Sequence, residues 1–178
     1  MGNIAQNIIK FNRLKEVFMA NFENIGKALS EYTSHGAFIV AGDKPEIMTA
    51  SWGFIGEMWG KRVFVAPVRD SRRTKTAIDE CGEFTVCIPY GDKYKNELTY
   101  CGTKSGRDCD KVKDLNLKLE KASGVNTFVI CNCDKYFECR VLEVEKIGQG
   151  VENAFLKKQY GNTPDYHNLY FAEIIKEY

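Results

Sequence analysis

The chain has almost no net charge, few histidines and no long apolar run, and each shortage excludes a class of function. Its 25 Lys and Arg against 24 Asp and Glu leave a formal charge of +1 over 178 residues. No global field therefore draws it to nucleic acid or to an acidic partner. No apolar segment approaches the roughly 20 residues that span a bilayer, so no membrane association is expected. The start carries no cationic stretch followed by an apolar run, and Gln6 stands where a myristoylated Met-Gly terminus wants Ser or Thr. Only two histidines accompany seven cysteines, without the spacing of a zinc site, and no metal is expected. An odd number of thiols cannot pair completely, which suits a reducing interior and a cytoplasmic protein. No P-loop pattern and no strand–GxGxxG–helix unit is present. With no repeat, linker or low-complexity tract, residues 1–178 read as one domain.

Hydrophobic periodicity supplies the architecture. From Leu14, the positions Val17, Phe18, Phe22, Ile25, Leu29 and Tyr32 fall at helical spacing, so one or two amphipathic helices are expected between Asn12 and Tyr32. They make residues 1–33 a helical extension packed on a β-rich body. Strands are expected at Ala37–Ala41, Met48–Trp52, Arg62–Val68, Phe84–Ile88, Thr127–Cys133, Tyr136–Lys146 and Leu169–Ile175. Gly42 to Pro45 and Asp134-Lys135 supply hairpin chemistry between neighbours. Helices are expected near Thr74–Glu80, Asp92–Tyr100, Asp108–Leu115 and Val151–Tyr160, with Gly82, Gly102 and Gly161 placed as helix stops. The fold class is mainly β (α+β): a closed or partly closed barrel of six or seven strands with peripheral helices.

Three segments carry candidate chemistry. Arg69 to Lys75 packs four cations (Arg69, Arg72, Arg73, Lys75) and the hydroxyls of Ser71 and Thr74 between a buried strand and a helix start. Helix dipole, free amides and guanidinium forks all favour a phosphate there. Met48 to Gly53 offers small residues and Trp52, a surface on which a flat heteroaromatic ligand could lie. Between Cys101 and Lys111, Gly102 and Gly106 free the backbone to turn, and Ser105 with Asp108 resembles a cap for a second helix start. Cys101, beside Lys104 and Arg107, is either a thiol of lowered pKa or a buried inert one, the latter being the commoner case. An oligonucleotide-binding barrel would instead want basic residues interleaved with exposed aromatics. Tyr90, Tyr94 and Tyr100 could be drawn that way, but the near-zero charge opposes it.

Met48 to Gly53, Val68 to Thr74, Tyr100 to Lys111 and Asp165 to Ile174, taken in that order, resemble the flavin reductase-like, FMN-binding split-barrel family that includes the flavoredoxins. The resemblance implies noncovalent FMN at the interface of a homodimer. It places Thr49, Ala50, Ser51 and Trp52 along the isoalloxazine and ribityl chain, and Arg69, Ser71, Arg72, Thr74 and Lys75 on the phosphate. Cys101, Gly102, Ser105 and Gly106 would close the ribityl–phosphate side, with Asp110 and Lys111 nearby. No catalytic residue is assigned, His167 being a weak candidate near the flavin or the dimer seam. Two departures stand out: Glu46 replaces a frequent Asn, and Asp70 replaces a frequent Pro and has to point away from a phosphate. The implied activity is that of an oxidoreductase, either an NADH- or NADPH-dependent flavin reductase or a flavoredoxin-like carrier that keeps its FMN and exchanges electrons with a redox protein partner.

Overall fold

Five consecutive apolar residues form the first strand because both of its faces are covered. In the computed structural model, which describes residues 24–150, 153–160 and 165–178, β1 (Ala37–Ala41) is buried throughout. Ala37, Ile39 and Ala41 enter one hydrophobic cluster while Phe38 and Val40 enter another. Strands covered on both faces read as continuous apolar runs. β1 turns through residues 42–45 into β2 (Glu46–Ala50), with Ala41 opposite Glu46, as the hairpin chemistry predicts.

The other strands are β3 (Phe54–Met58), β4 (Lys61–Arg69), β5 (Glu83–Ile88), β6 (Leu119–Lys121), β7 (Phe128–Ile130), β8 (Lys135–Ile147) and β9 (His167–Glu177). Seven form one antiparallel sheet in the order β2-β1-β5-β8-β9-β4-β3, and β6-β7 make a separate ribbon. The sheet curls around the larger cluster, which contains Phe64, Phe84, Phe137 and Tyr170. It does not close: β2 and β3 are free edges. Across the gap β2 lies against β4, and the chain leaving β2 passes so near that a Cβ on Gly53 would meet the Val65 carbonyl at 2.8 Å.

Five helices occur among the described residues. α1 (residues 24–35) sends Ala28 and Tyr32 into the core, where Tyr32 meets Phe64 edge-on at 5.7 Å. The rest of the expected N-terminal helices, up to residue 23, lies outside the described residues. α2 (Arg73–Cys81) ends at Gly82, whose φ of 68° suits glycine and whose N–H bonds the Ile78 carbonyl. Gly102 does not stop a helix: it lies inside α3 (Lys95–Thr103), which ends at an extended Lys104. α4 (Lys111–Asp114) is capped by Asp110, which accepts from the Lys113 amide. The second helix start thus falls at Asp110, while Ser105 Oγ only accepts from the Arg107 amide in a turn. α5 is Ala154–Tyr160; Gly161 lies outside the described residues.

Two strands escape the sequence reading, and one pairing differs. β3 and β4 are joined by Trp59 and Gly60, at φ 56° and 69°, with Met58 opposite Lys61. This is a two-residue hairpin with left-handed central residues, built without the usual Asn-Gly signature. β6 has only three residues. β7 pairs with β6 and not with β8, so Asp134-Lys135 is no hairpin turn; the Asp134 carboxylate instead accepts from the Tyr90 amide at 2.9 Å.

Candidate functional site

The end of β2, the end of β4 and the start of β9 converge at the open side of the sheet. Antiparallel register sets Arg69 opposite His167 and Pro67 opposite Leu169. A cavity of about 310 Å³ results, lined by Met48, Thr49, Ala50, Ser51, Trp52, Pro67, Arg69, Ser71, Arg72, Asp165 and His167, at the small end of the 300–1,000 Å³ usual for ligand sites. The Trp52 segment is held from behind. Tyr32 donates its hydroxyl to the Trp52 carbonyl, and Gly53 is pressed against β4. Trp52 stays 53% exposed, and its ring stands 5.2 Å from the His167 ring.

The opposite end of the cavity is cationic. α2 has Arg72 at its N-cap position, no side-chain cap and no acidic residue in its first turn, which leaves the positive helix end available to an anion. Arg72 donates to the Gly102 carbonyl at 2.7 Å. Arg69 lies 3.8 Å from Asp165, and Asp165 accepts from the Ser71 amide at 2.9 Å and the Ser71 hydroxyl at 2.7 Å. Arg107 donates to the Ser71 carbonyl at 2.8 Å. His167 is buried and hydrogen-bonds Tyr160 through Nδ1 at 3.1 Å. Burial first, then the Arg69 charge, push its pKa below the ordinary 6.5, favouring the neutral imidazole.

Eight of the sequence-selected residues therefore share one cavity: Thr49, Ala50, Ser51, Trp52, Arg69, Ser71, Arg72 and His167. Gly102 touches it indirectly, through the carbonyl that holds Arg72. Thr74 is buried, and Lys75 pairs with Asp79 at 2.6 Å. Gly106, Asp110 and Lys111 line a second cavity of about 490 Å³ with Glu46 and Cys109, and Ser105 sits in the loop before it. The Lys111 ammonium is committed to the carbonyls of Ile47 (2.6 Å) and Cys101 (3.0 Å), which ties β2 to α3. Cys101 is buried, and burial raises its thiol to about 11, so it is the inert core thiol and not the activated one.

Both departures from the family pattern have partners. Glu46 lies 3.5 Å from Arg73, which holds that cation off the first cavity. Asp70 turns to β8 and β9, accepting from Lys146 at 2.7 Å and Asn168 at 2.9 Å; it does not cap α2. Sequence reasoning included Asp165 in a matching segment without giving it a role, and missed Tyr160, which holds His167.

The flavin reductase like domain matches this sequence over residues 29–176. The chain belongs to that family. An uncharacterized protein of Archaeoglobus fulgidus is 33% identical over 111 residues, 62% of each chain, so the aligned part spans about three fifths of that relative's length. Among solved structures, the flavoredoxin of Desulfovibrio vulgaris (Miyazaki F) superposes with a TM-score of 0.61 at 20% identity, over 80% of this chain and 68% of the other. An NADH:FAD oxidoreductase of Streptomyces globisporus C-1027 gives 0.63 at 11% identity, over 86% and 80%. At such identities the superpositions establish the shared fold. In this member of the family the seven-stranded sheet stays open, and Arg69, Arg72 and the exposed Trp52 line the cavity formed by the ends of β2 and β4 and the start of β9.

Proposed function

We propose that this protein is an FMN-binding redox flavoprotein whose cofactor lies in the 310 Å³ cavity. One observation carries the reading: an uncapped helix start with two guanidinium groups faces the same cavity as a small-residue strand end and an exposed Trp52. That donor set matches a planar ring bearing a phosphate, which carries about −2 near neutral pH. Arg69, Ser71 and Arg72 would hold the phosphate, and Thr49, Ala50, Ser51 and Trp52 would line the ring and ribityl chain. When bound, FMN supplies the electron-transfer chemistry that no side chain here offers. His167, neutral and fixed by Tyr160, presents a hydrogen-bonding ring beside Trp52 without adding a third positive charge.

The activity we assign is NADH- or NADPH-dependent flavin reduction in a homodimer that completes the site. The exposed Trp52, Phe54 and Trp59, each more than half accessible, support a second copy at this edge, since aromatic residues are enriched at the centres of interfaces. The fold shared with a flavoredoxin supports a second activity, an electron carrier that retains its FMN and serves a redox protein partner.

Purified protein should be yellow, and the stripped protein should take up FMN at micromolar concentration with quenching of flavin fluorescence. No uptake would exclude the flavin reading. Stopped-flow mixing of the FMN-loaded protein with NADH and NADPH separates the two activities. Rapid bleaching by either nucleotide supports the reductase, and slow bleaching by both supports the carrier.

A further inference from the structure

The anion end of the cavity already contains an acid of the chain itself. Asp165 takes the Ser71 amide with one carboxylate oxygen (2.9 Å) and the Ser71 hydroxyl with the other (2.7 Å), while Arg69 stands 3.8 Å away. These are the donors a phosphate would use: a backbone N–H, a hydroxyl and a guanidinium. Asp165 is brought there from 94 residues along the chain by the start of β9, and it lines the cavity.

We propose that Asp165 is the residue that sets how strongly the site distinguishes phosphorylated from unphosphorylated flavin, by holding the Ser71 and Arg69 donors with its own carboxylate. This rests on the flavin reading above and extends it. The charges at this end of the cavity are Arg69, Arg72 and, 3.8 Å from Arg69, Asp165, with Arg107 tied to the Ser71 carbonyl. A phosphate dianion entering this end displaces Asp165 from Ser71 and then meets its negative charge at close range. Riboflavin, which lacks the phosphate, makes no such demand. Asp165 thus lowers affinity for FMN selectively and keeps it exchangeable, which suits a protein that hands flavin on more than one that stores it.

A purely structural role would look different. The charge of Asp165 meets Arg69 only across 3.8 Å in a partly exposed pair, and such pairs contribute little to stability.

The experiment titrates flavin-stripped wild type, Asp165→Asn and Asp165→Ala with FMN and with riboflavin, following flavin fluorescence. Both variants should bind FMN roughly ten- to a hundredfold tighter, the range of one charged hydrogen-bond interaction, with riboflavin affinity changed by no more than about twofold. Equal or weaker FMN binding by both variants would show that Asp165 props the turn, and would overturn the proposal. So would a parallel gain for both flavins, which signals a wider cavity, or loss of native circular dichroism in both variants, which signals a stability role. If wild type itself takes up no FMN, the flavin reading falls and this proposal falls with it. Wild-type uptake with an unimproved Asn variant sinks only the role of Asp165.

Discussion

Arg69 and Arg72 face one cavity but are held differently. Arg72 is anchored to the Gly102 carbonyl of α3, whereas the Arg69 side chain has, among the described residues, the longer 3.8 Å ion pair with Asp165. Replacing either by Ala should weaken FMN binding by about 1–3 kcal/mol, the usual loss for a charged hydrogen bond. Arg72→Ala should also lower the melting temperature, because a carbonyl loses its donor; Arg69→Ala should not. Paired FMN titrations and thermal melts check both halves. His167 gives a pH signature. Its folded pKa is depressed below 6.5, chiefly by burial, so the unfolded chain binds the proton more readily. Stability should therefore fall as pH drops below about 6.5 and level off once the folded imidazole also charges. His167→Gln should flatten that part of a melting-temperature profile. At this scale the sequence was informative where chemistry is local: Arg69, Ser71 and Arg72 sit in one turn. Lys75 belongs to the same run, yet helix geometry rotates each residue about 100° from the last, and it ends on Asp79. Asp165 stood in a matching segment, but its partner was not legible, since its bond to Ser71 joins positions 94 residues apart.

Elements place these residues, and two buried devices set the placement. Lys111 bolts β2 to α3 through the Ile47 and Cys101 carbonyls. Burial depresses its pKa, yet the two carbonyl acceptors hold the ammonium in place. Lys111→Met removes the donor from both carbonyls and should cost about 1–3 kcal/mol in urea unfolding, the penalty of buried acceptors left unmet. Gly53 is the second device: a methyl there would strike the Val65 carbonyl and the Tyr32 ring. Gly53→Ala should push the Trp52 segment off β4 and weaken FMN binding, an effect visible in Trp fluorescence. The strands β1, β4 and β5 were legible because burial on both faces gives mostly apolar runs such as Ala37 to Ala41 and Val63 to Val68. β3 was not. It is an exposed edge strand, it contains a glycine, and its turn places Trp59 in a left-handed conformation that Asn or Gly usually fills. Cys133 and Cys131, expected within a strand, follow the end of β7, where the chain turns.

At the scale of the whole molecule, the open edge and its aromatic cover argue for a second copy. Light scattering should give twice the 20.3 kDa chain mass, and Phe54→Glu should shift the mass toward the monomer. A monomeric wild type would remove the dimer from the functional reading while leaving the cavity as it is. The expected barrel was legible from strand count and short connections. Both a closed and a partly closed form fitted that reading, because whether the outermost strands meet is decided by curvature and not by any one segment's pattern; the sheet is the open form.

The position of β9 has a consequence for how the chain is made. It lies between β8 and β4, although it is encoded after both. Without His167 to Glu177 the sheet's hydrogen-bonded ladder falls into two parts, the four strands β2-β1-β5-β8 and the β3–β4 hairpin. Each presents a raw border that invites pairing with strangers. The late strand works as a zip fastener, and the pocket comes into being only when it is drawn.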